Sequence, residues 1–159
     1  MDITTIFTGD NLEIFLKLLA ALFLGMSLGI ERALAGKIAG MRTYGLVAMG
    51  SALFVIIGVM AAGGFDSSVA LTESLRFTAQ VITGIGFIGA GLIFFKDQTV
   101  SGVTTAAGIW VAAGVGMAIG YELYLLALFA SIFALFVFTV LWYVEEKLKV
   151  FLHREEKEL

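Results

Sequence analysis

Hydrophobic residues fall in five long runs separated by short polar stretches. The runs span about Leu12 to Ile30, Thr43 to Ala62, Phe77 to Phe95, Thr104 to Gly120 and Glu122 to Val144. Each holds about 17–23 residues, the length at which a helix crosses a ~30 Å hydrocarbon core. The pattern predicts an all-α, polytopic membrane helix bundle of five transmembrane helices over residues 1–144. Residues 145–159 are expected to form a charged cytoplasmic helical tail.

The polar breaks are short. Glu31 to Arg42 mixes apolar and basic residues and has room for one interfacial helix. Gly63 to Arg76 is the most soluble-looking stretch and is expected as a loop. Lys96, Asp97 and Gln98 end the third run. Near the start of the first run, Glu13 and Lys17 stand four apart and can pair on one helix face. Trp142 and Tyr143 close the fifth run, as interfacial aromatics do. The first residues carry no positive charge and no small-residue cleavage site, so the first helix is expected to direct insertion.

Glycine placement sharpens the picture. Gly84, Gly86, Gly89 and Gly91 fall within eight residues of the third run. A glycine costs roughly 1 kcal/mol in a helix interior relative to alanine. In a membrane the common reason for such a run is close contact between helices. An unwound helix beside a ligand pathway is the less common one. Gly25 and Gly29 repeat the four-residue spacing in the first run. Gly108, Ala112, Gly116 and Gly120 do so in the fourth, where Trp110 is expected to pack. In the third run, Gln80 and Thr83 are expected to hydrogen-bond across helices.

Composition narrows the chemistry. The chain of 159 residues is 60% hydrophobic and 14% charged, with 19 glycines and no proline or cysteine. Its mean hydropathy is +1.00. The one histidine, His153, lies in the tail. Thiolate metal sites and His-based triads are therefore excluded, and no run pairs a nucleophile with a base. An enzyme is not expected. No basic block suggests nucleic-acid binding, and no cofactor is expected.

Charge sets the topology. Arg32, Lys37, Arg42, Lys96, Lys147, Lys149, Arg154 and Lys157 fall on one side of five alternating spans; only Lys17 and Arg76 fall on the other. The positive-inside rule then places the N-terminus outside and the C-terminus in the cytoplasm. Glu31, Arg32, Arg42, Thr43, Lys96, Asp97, Thr104 and Thr105 thereby share one cytoplasmic layer. Two carboxylates, Glu31 and Asp97, face four cations, Arg32, Lys37, Arg42 and Lys96. Two helix N-termini add partial positive charge there. This favours salt bridges or an anionic group such as a phosphate or lipid headgroup. Were Mg²⁺ bound, Glu31 and Asp97 would be its candidate ligands, with four cations opposing it. Thr104 and Thr105 also read as helix caps.

Four pieces in order carry a resemblance: Gly29 to Arg32, Ala39 to Thr43, Ala79 to Gly91, and Gly102 to Trp110. Together they resemble the MgtC/SapB family of bacterial inner-membrane proteins over about residues 12–122. The resemblance implies a role in growth under magnesium limitation and, in pathogens, in virulence. Family members have been described as magnesium transporters, and others as regulators acting on the membrane ATP synthase or on energy balance. It carries over Glu31, Arg32, Arg42, Thr43, Gly84, Gly86, Gly89, Gly91, Asp97, Thr104, Thr105 and Trp110. Family members often have an acidic residue where this chain has Ala33. Many also carry a soluble C-terminal domain, and the expectation here is a short form without it.

Two functions compete. One is a regulator that binds a membrane complex, such as the ATP synthase, or an anionic ligand at the charged layer. The other is a transporter of Mg²⁺ or another cation, which five small helices would support only as an oligomer. A twofold homodimer is the expected assembly. Which glycine stripe forms its seam stays open.

Overall fold

A computed structural model describes residues 9–64, 68–96, 99–145 and 147–148. Five helices account for nearly all of it: α1 (Gly9–Leu34), α2 (Met41–Ala61), α3 (Ser68–Gly91), α4 (Val103–Gly120) and α5 (Tyr124–Phe136). A π-helical turn, Val137–Leu141, carries α5 onward, so that Tyr124 to Glu145 is one span. Among the described residues, four helices are long and apolar enough to cross a membrane: α1, α2, α4 and the extended α5. α3 is equally long, but Glu73, Arg76, Gln80 and its glycines keep it below the hydropathy of the others.

α2 and α4 form the centre, α1 packs along both, α3 leans on α2 and α4, and α5 on α4 and α1. Small residues make the centre possible. A Cβ at Gly116 would strike the Ala48 carbonyl, and one at Gly120 would come within 2.7 Å of the Val55 Cβ. Between α1 and α2, a Cβ at Gly25 would meet the Ala48 side chain at 2.7 Å, and one at Gly45 the Met26 side chain at 2.7 Å. These contacts require bare glycine, because without water to drive them together membrane helices hold by van der Waals approach.

Three helices end alike. After α1, the Gly36 N–H donates to the Ala33 carbonyl and the Lys37 N–H to Arg32. After α2, Gly63 and Gly64 repeat the pattern against Met60 and Val59. After α4, Glu122 and Leu123 do so against Ile119 and Ala118. Each is a Schellman closure, which sets one residue in the left-handed region. Glycine takes that place twice; Glu122, with φ 65°, takes it the third time.

Several expectations are corrected. Residues 31–42 hold no separate interfacial helix: α1 continues to Leu34 and then turns. The stretch Gly63 to Arg76 is not all loop, since α3 begins at Ser68. The third helix does not reach Phe95. It stops at Gly91, and Phe94–Lys96 pairs antiparallel with Thr99–Ser101 as strands β1 and β2. Gly102, with φ 90°, closes this hairpin against the Leu92 carbonyl, where a Cβ would collide. α3 itself is unbroken through its glycines.

Candidate functional site

Of the residues expected in the charged layer, the structure brings Glu31 and Arg32 together, with Arg32 at the centre of the cluster. Only 3% of this residue is exposed. Its Nε donates to Glu31 Oε2, and Glu31 is itself 16% exposed. The guanidinium lies over the Phe138 ring, 4.1 Å from the centroid, and Nη2 reaches the Phe138 carbonyl at 3.5 Å. A neighbouring anion and an aromatic face together make a buried cation tolerable. The π-helical turn of α5 holds Phe138 in this position.

Tyr44 continues the cluster. It is fully buried, meets Phe138 edge to face at 6.5 Å, and its hydroxyl donates to the Thr105 carbonyl at 3.3 Å. Gly108 supplies the room: a Cβ there would overlap the Tyr44 hydroxyl and come within 2.7 Å of Phe138 Cζ. The site therefore joins α1, α2, α4 and α5 through one cation, one carboxylate and two rings. Sequence reading missed Tyr44 and Phe138. Their sole signal was an aromatic inside a run, indistinguishable from a lipid-facing one.

The other predicted residues divide. Arg42 and Lys37 are exposed and have no ion-pair partner among the described residues. Of the four cations expected to face Glu31, the one that pairs with it is the adjacent Arg32. Thr43 is half-buried at the start of α2. Thr105 is buried and Thr104 exposed, yet neither caps α4; the N-cap is Gly102. α2 is likewise capped by a glycine, Gly40, with no side-chain bond. Asp97 and the Lys96 side chain lie outside the described residues.

The glycine run is also corrected. A Cβ at Gly84, Gly86 or Gly91 would meet nothing within 4 Å, and at Gly89 only ordinary contact with Ala106. Within one chain these glycines bring no helices together. Trp110, expected to pack, is 57% exposed. Gln80 is exposed with no hydrogen bond to a described residue, and Thr83 bonds back to the Ala79 carbonyl in its own helix. Thr78 makes the bridge instead, its hydroxyl 2.6 Å from that of Tyr121.

At the opposite end of the bundle, Lys17 lies between Glu13 Oε1 at 2.6 Å and Glu122 Oε1 at 2.9 Å. The first pair matches the i,i+4 expectation. The second joins α1 to the turn after α4, and no local spacing announces it. Arg76 pairs with Glu73 at 3.0 Å. Both cations predicted for the outer side are thus neutralised by carboxylates.

Residues 18–147 match the MgtC family. The chain belongs to the MgtC family. It is 42% identical over 144 residues to protein SrpB of Synechococcus elongatus, covering 85% of this chain and 78% of SrpB. It is 42% identical over 132 residues to an Escherichia coli K12 protein named "Putative magnesium transporter YhiD", covering 80% of this chain and 60% of that one. Against protein SapB of Bacillus subtilis the identity is 39%, over 86% of this chain and 60% of SapB. The chain thus spans about three-fifths of the length of YhiD and of SapB. No solved structure matches it. Family membership and four apolar helices make this MgtC-family chain a multi-pass membrane protein. Every residue of the Arg32 cluster lies inside the matched segment.

Proposed function

We propose that this chain is a magnesium-linked regulator of the bacterial inner membrane, acting through its cation-bearing cytoplasmic end. The name of the E. coli relative supports the magnesium link. In this reading α3 is the fifth span, the N-terminus is outside and the C-terminus inside. The packing of α3 along α2 supports that. Phe77 lies against Gly58 near the end of α2, while Ile88 shares a groove with Leu46 near its start.

One observation carries the regulatory reading. Glu31 is already bound by Arg32, whereas Lys37 and Arg42 are exposed beside an α2 N-terminus that no side chain caps. The carboxylate a cation would need is occupied, and the cations an anion would need are free of described partners. Such an end suits a phosphate-bearing group or an acidic surface of a membrane complex. The ATP synthase is a candidate complex through the family resemblance.

The test is paired. Affinity purification of the native chain from its own membrane is expected to recover a stoichiometric membrane complex, and Lys37→Gln with Arg42→Gln to lose it at unchanged protein level. Recovery of no partner, or equal recovery by the double variant, would sink the proposal. Mg²⁺ flux into proteoliposomes above that of empty ones would instead establish the transporter reading.

A further inference from the structure

Between α2 and α3 runs a groove of about 650 Å³. It is walled by apolar side chains, with Gly50, Ser51, Gln80 and Gly84 among its lining. Ser51 is 2% exposed, and its hydroxyl is the one buried side-chain polar atom among the described residues without a hydrogen-bond partner. A serine in a helix ordinarily bonds back to the carbonyl four residues earlier; this one does not. Gln80 presents a full amide to the same groove with no described partner.

We propose that this groove receives α3 of a second copy of the chain, making a twofold dimer seam. Two glycine sets were candidates for the seam, and the structure sorts them. Gly108, Gly116 and Gly120 of α4 are consumed inside the chain against Tyr44, Ala48 and Val55. Gly50 and Gly84 in the groove are open, as are Gly86 and Gly91 further along α3. Each glycine costs helix stability, and nothing within the chain uses the space.

Depth selects the occupant. With α3 as a span, as proposed above, Gln80 stands twelve residues into α3, about 18 Å along the axis and near the middle of a ~30 Å core. An acyl chain offers no acceptor at that depth. Phospholipid esters sit at the interface. A second copy brings its own Gln80, and the two exposed amides donate to and accept from each other across the axis. Phe87, 82% exposed at the groove rim, stands one turn from the open Gly84. A twofold contact sets this knob of each copy into the hollow of the other, as a self-complementary interface requires.

The experiment counts subunits in nanodiscs made from native membrane. The native chain is expected as two copies per disc. Gly84→Leu is expected as one copy with unchanged thermal unfolding, since a side chain at position 84 meets nothing in its own chain. The chain has no cysteine, so single cysteines can be placed freely. In unperturbed membranes, Gly84→Cys and Phe87→Cys should cross-link through a short bifunctional thiol reagent, and Leu125→Cys on α5 should not. One native copy per disc overturns the proposal, with or without a co-purifying lipophilic molecule. So does a dimer in which neither position 84 nor 87 cross-links. The cross-linking result stands even if Gly84→Leu fails to fold. It is also independent of whether Lys37 and Arg42 bind any anion.

Discussion

Arg32 lies on the face of the Phe138 ring, 4.1 Å from its centroid, while its Nε holds Glu31. The cation is thus satisfied from two helices at once. Removing either charge leaves the other buried and unpaired, which costs about 3–5 kcal/mol for a fully buried pair. Arg32→Gln and Glu31→Gln are each expected to lower stability by roughly 2–4 kcal/mol, because Glu31 keeps some solvent contact. The double variant should recover a large part of that loss. Mixed-micelle unfolding of the four proteins gives the coupling energy. Strict additivity of the two losses would show that the pair contributes no coupling. Arg32→Lys keeps the charge but not the planar stack, and should fall between native and Arg32→Gln.

The Tyr44 hydroxyl fills the space that a side chain at position 108 would need. Gly108→Ala drives a methyl into that hydroxyl and toward Phe138. Overpacking of this kind costs about 1–3 kcal/mol. Tyr44→Phe removes the oxygen and should restore part of the loss in the double variant, although it also gives up the bond to Thr105. Thermal unfolding of the single and double variants checks this. A double variant worse than the sum of its parts would refute the shared-space account.

The helices were legible because membrane spans announce themselves by length and apolarity, which need no tertiary knowledge. The 19-residue third run was misjudged at both ends for the same reason. Ser68 to Arg76 is too polar to read as span, and Phe94 to Lys96 too apolar to read as strand. Arg32 and Glu31 were found because charges at a span edge stand out. Their partners were not. Phe138 and Tyr44 are aromatic residues in runs rich in them, and only the fold says which face inward. Glycines mislead differently: spacing marks a smooth helix face, not the surface that covers it. In the densest run Gly84, Gly86 and Gly91 are open within the chain, whereas Gly108, Gly116 and Gly120 on α4 are closed.

That contrast is measurable. Gly116→Ala sets a methyl against the Ala48 backbone carbonyl, which cannot move without shifting α2. A loss of at least about 2 kcal/mol or failure to accumulate is expected. Gly86→Ala meets open space and lies outside the groove lining. It should be neutral or stabilise by up to about 1 kcal/mol through helix propensity. Similar effects of the two substitutions would contradict the packing described for α4.

Glu122 is held in a backbone conformation that suits glycine, and its side chain holds Lys17. The left-handed conformation costs a non-glycine residue about 1–2 kcal/mol. The ion pair is worth less than about 1 kcal/mol, because the Glu122 side chain is half-exposed. The two terms oppose each other and can be separated by choice of substitution. Glu122→Gly loses the pair and relieves the backbone, so it should match the native chain or exceed it slightly. Glu122→Gln loses the pair and keeps the strain, so it should be the less stable of the two by about 1 kcal/mol. Added salt should narrow the gap between native and Glu122→Gln and leave the gap between Gln and Gly unchanged, since only the first is electrostatic. Unfolding of the three proteins at low and high salt reads both gaps. Equal losses for Gly and Gln would mean that the left-handed turn after α4 holds no strain for glycine to relieve.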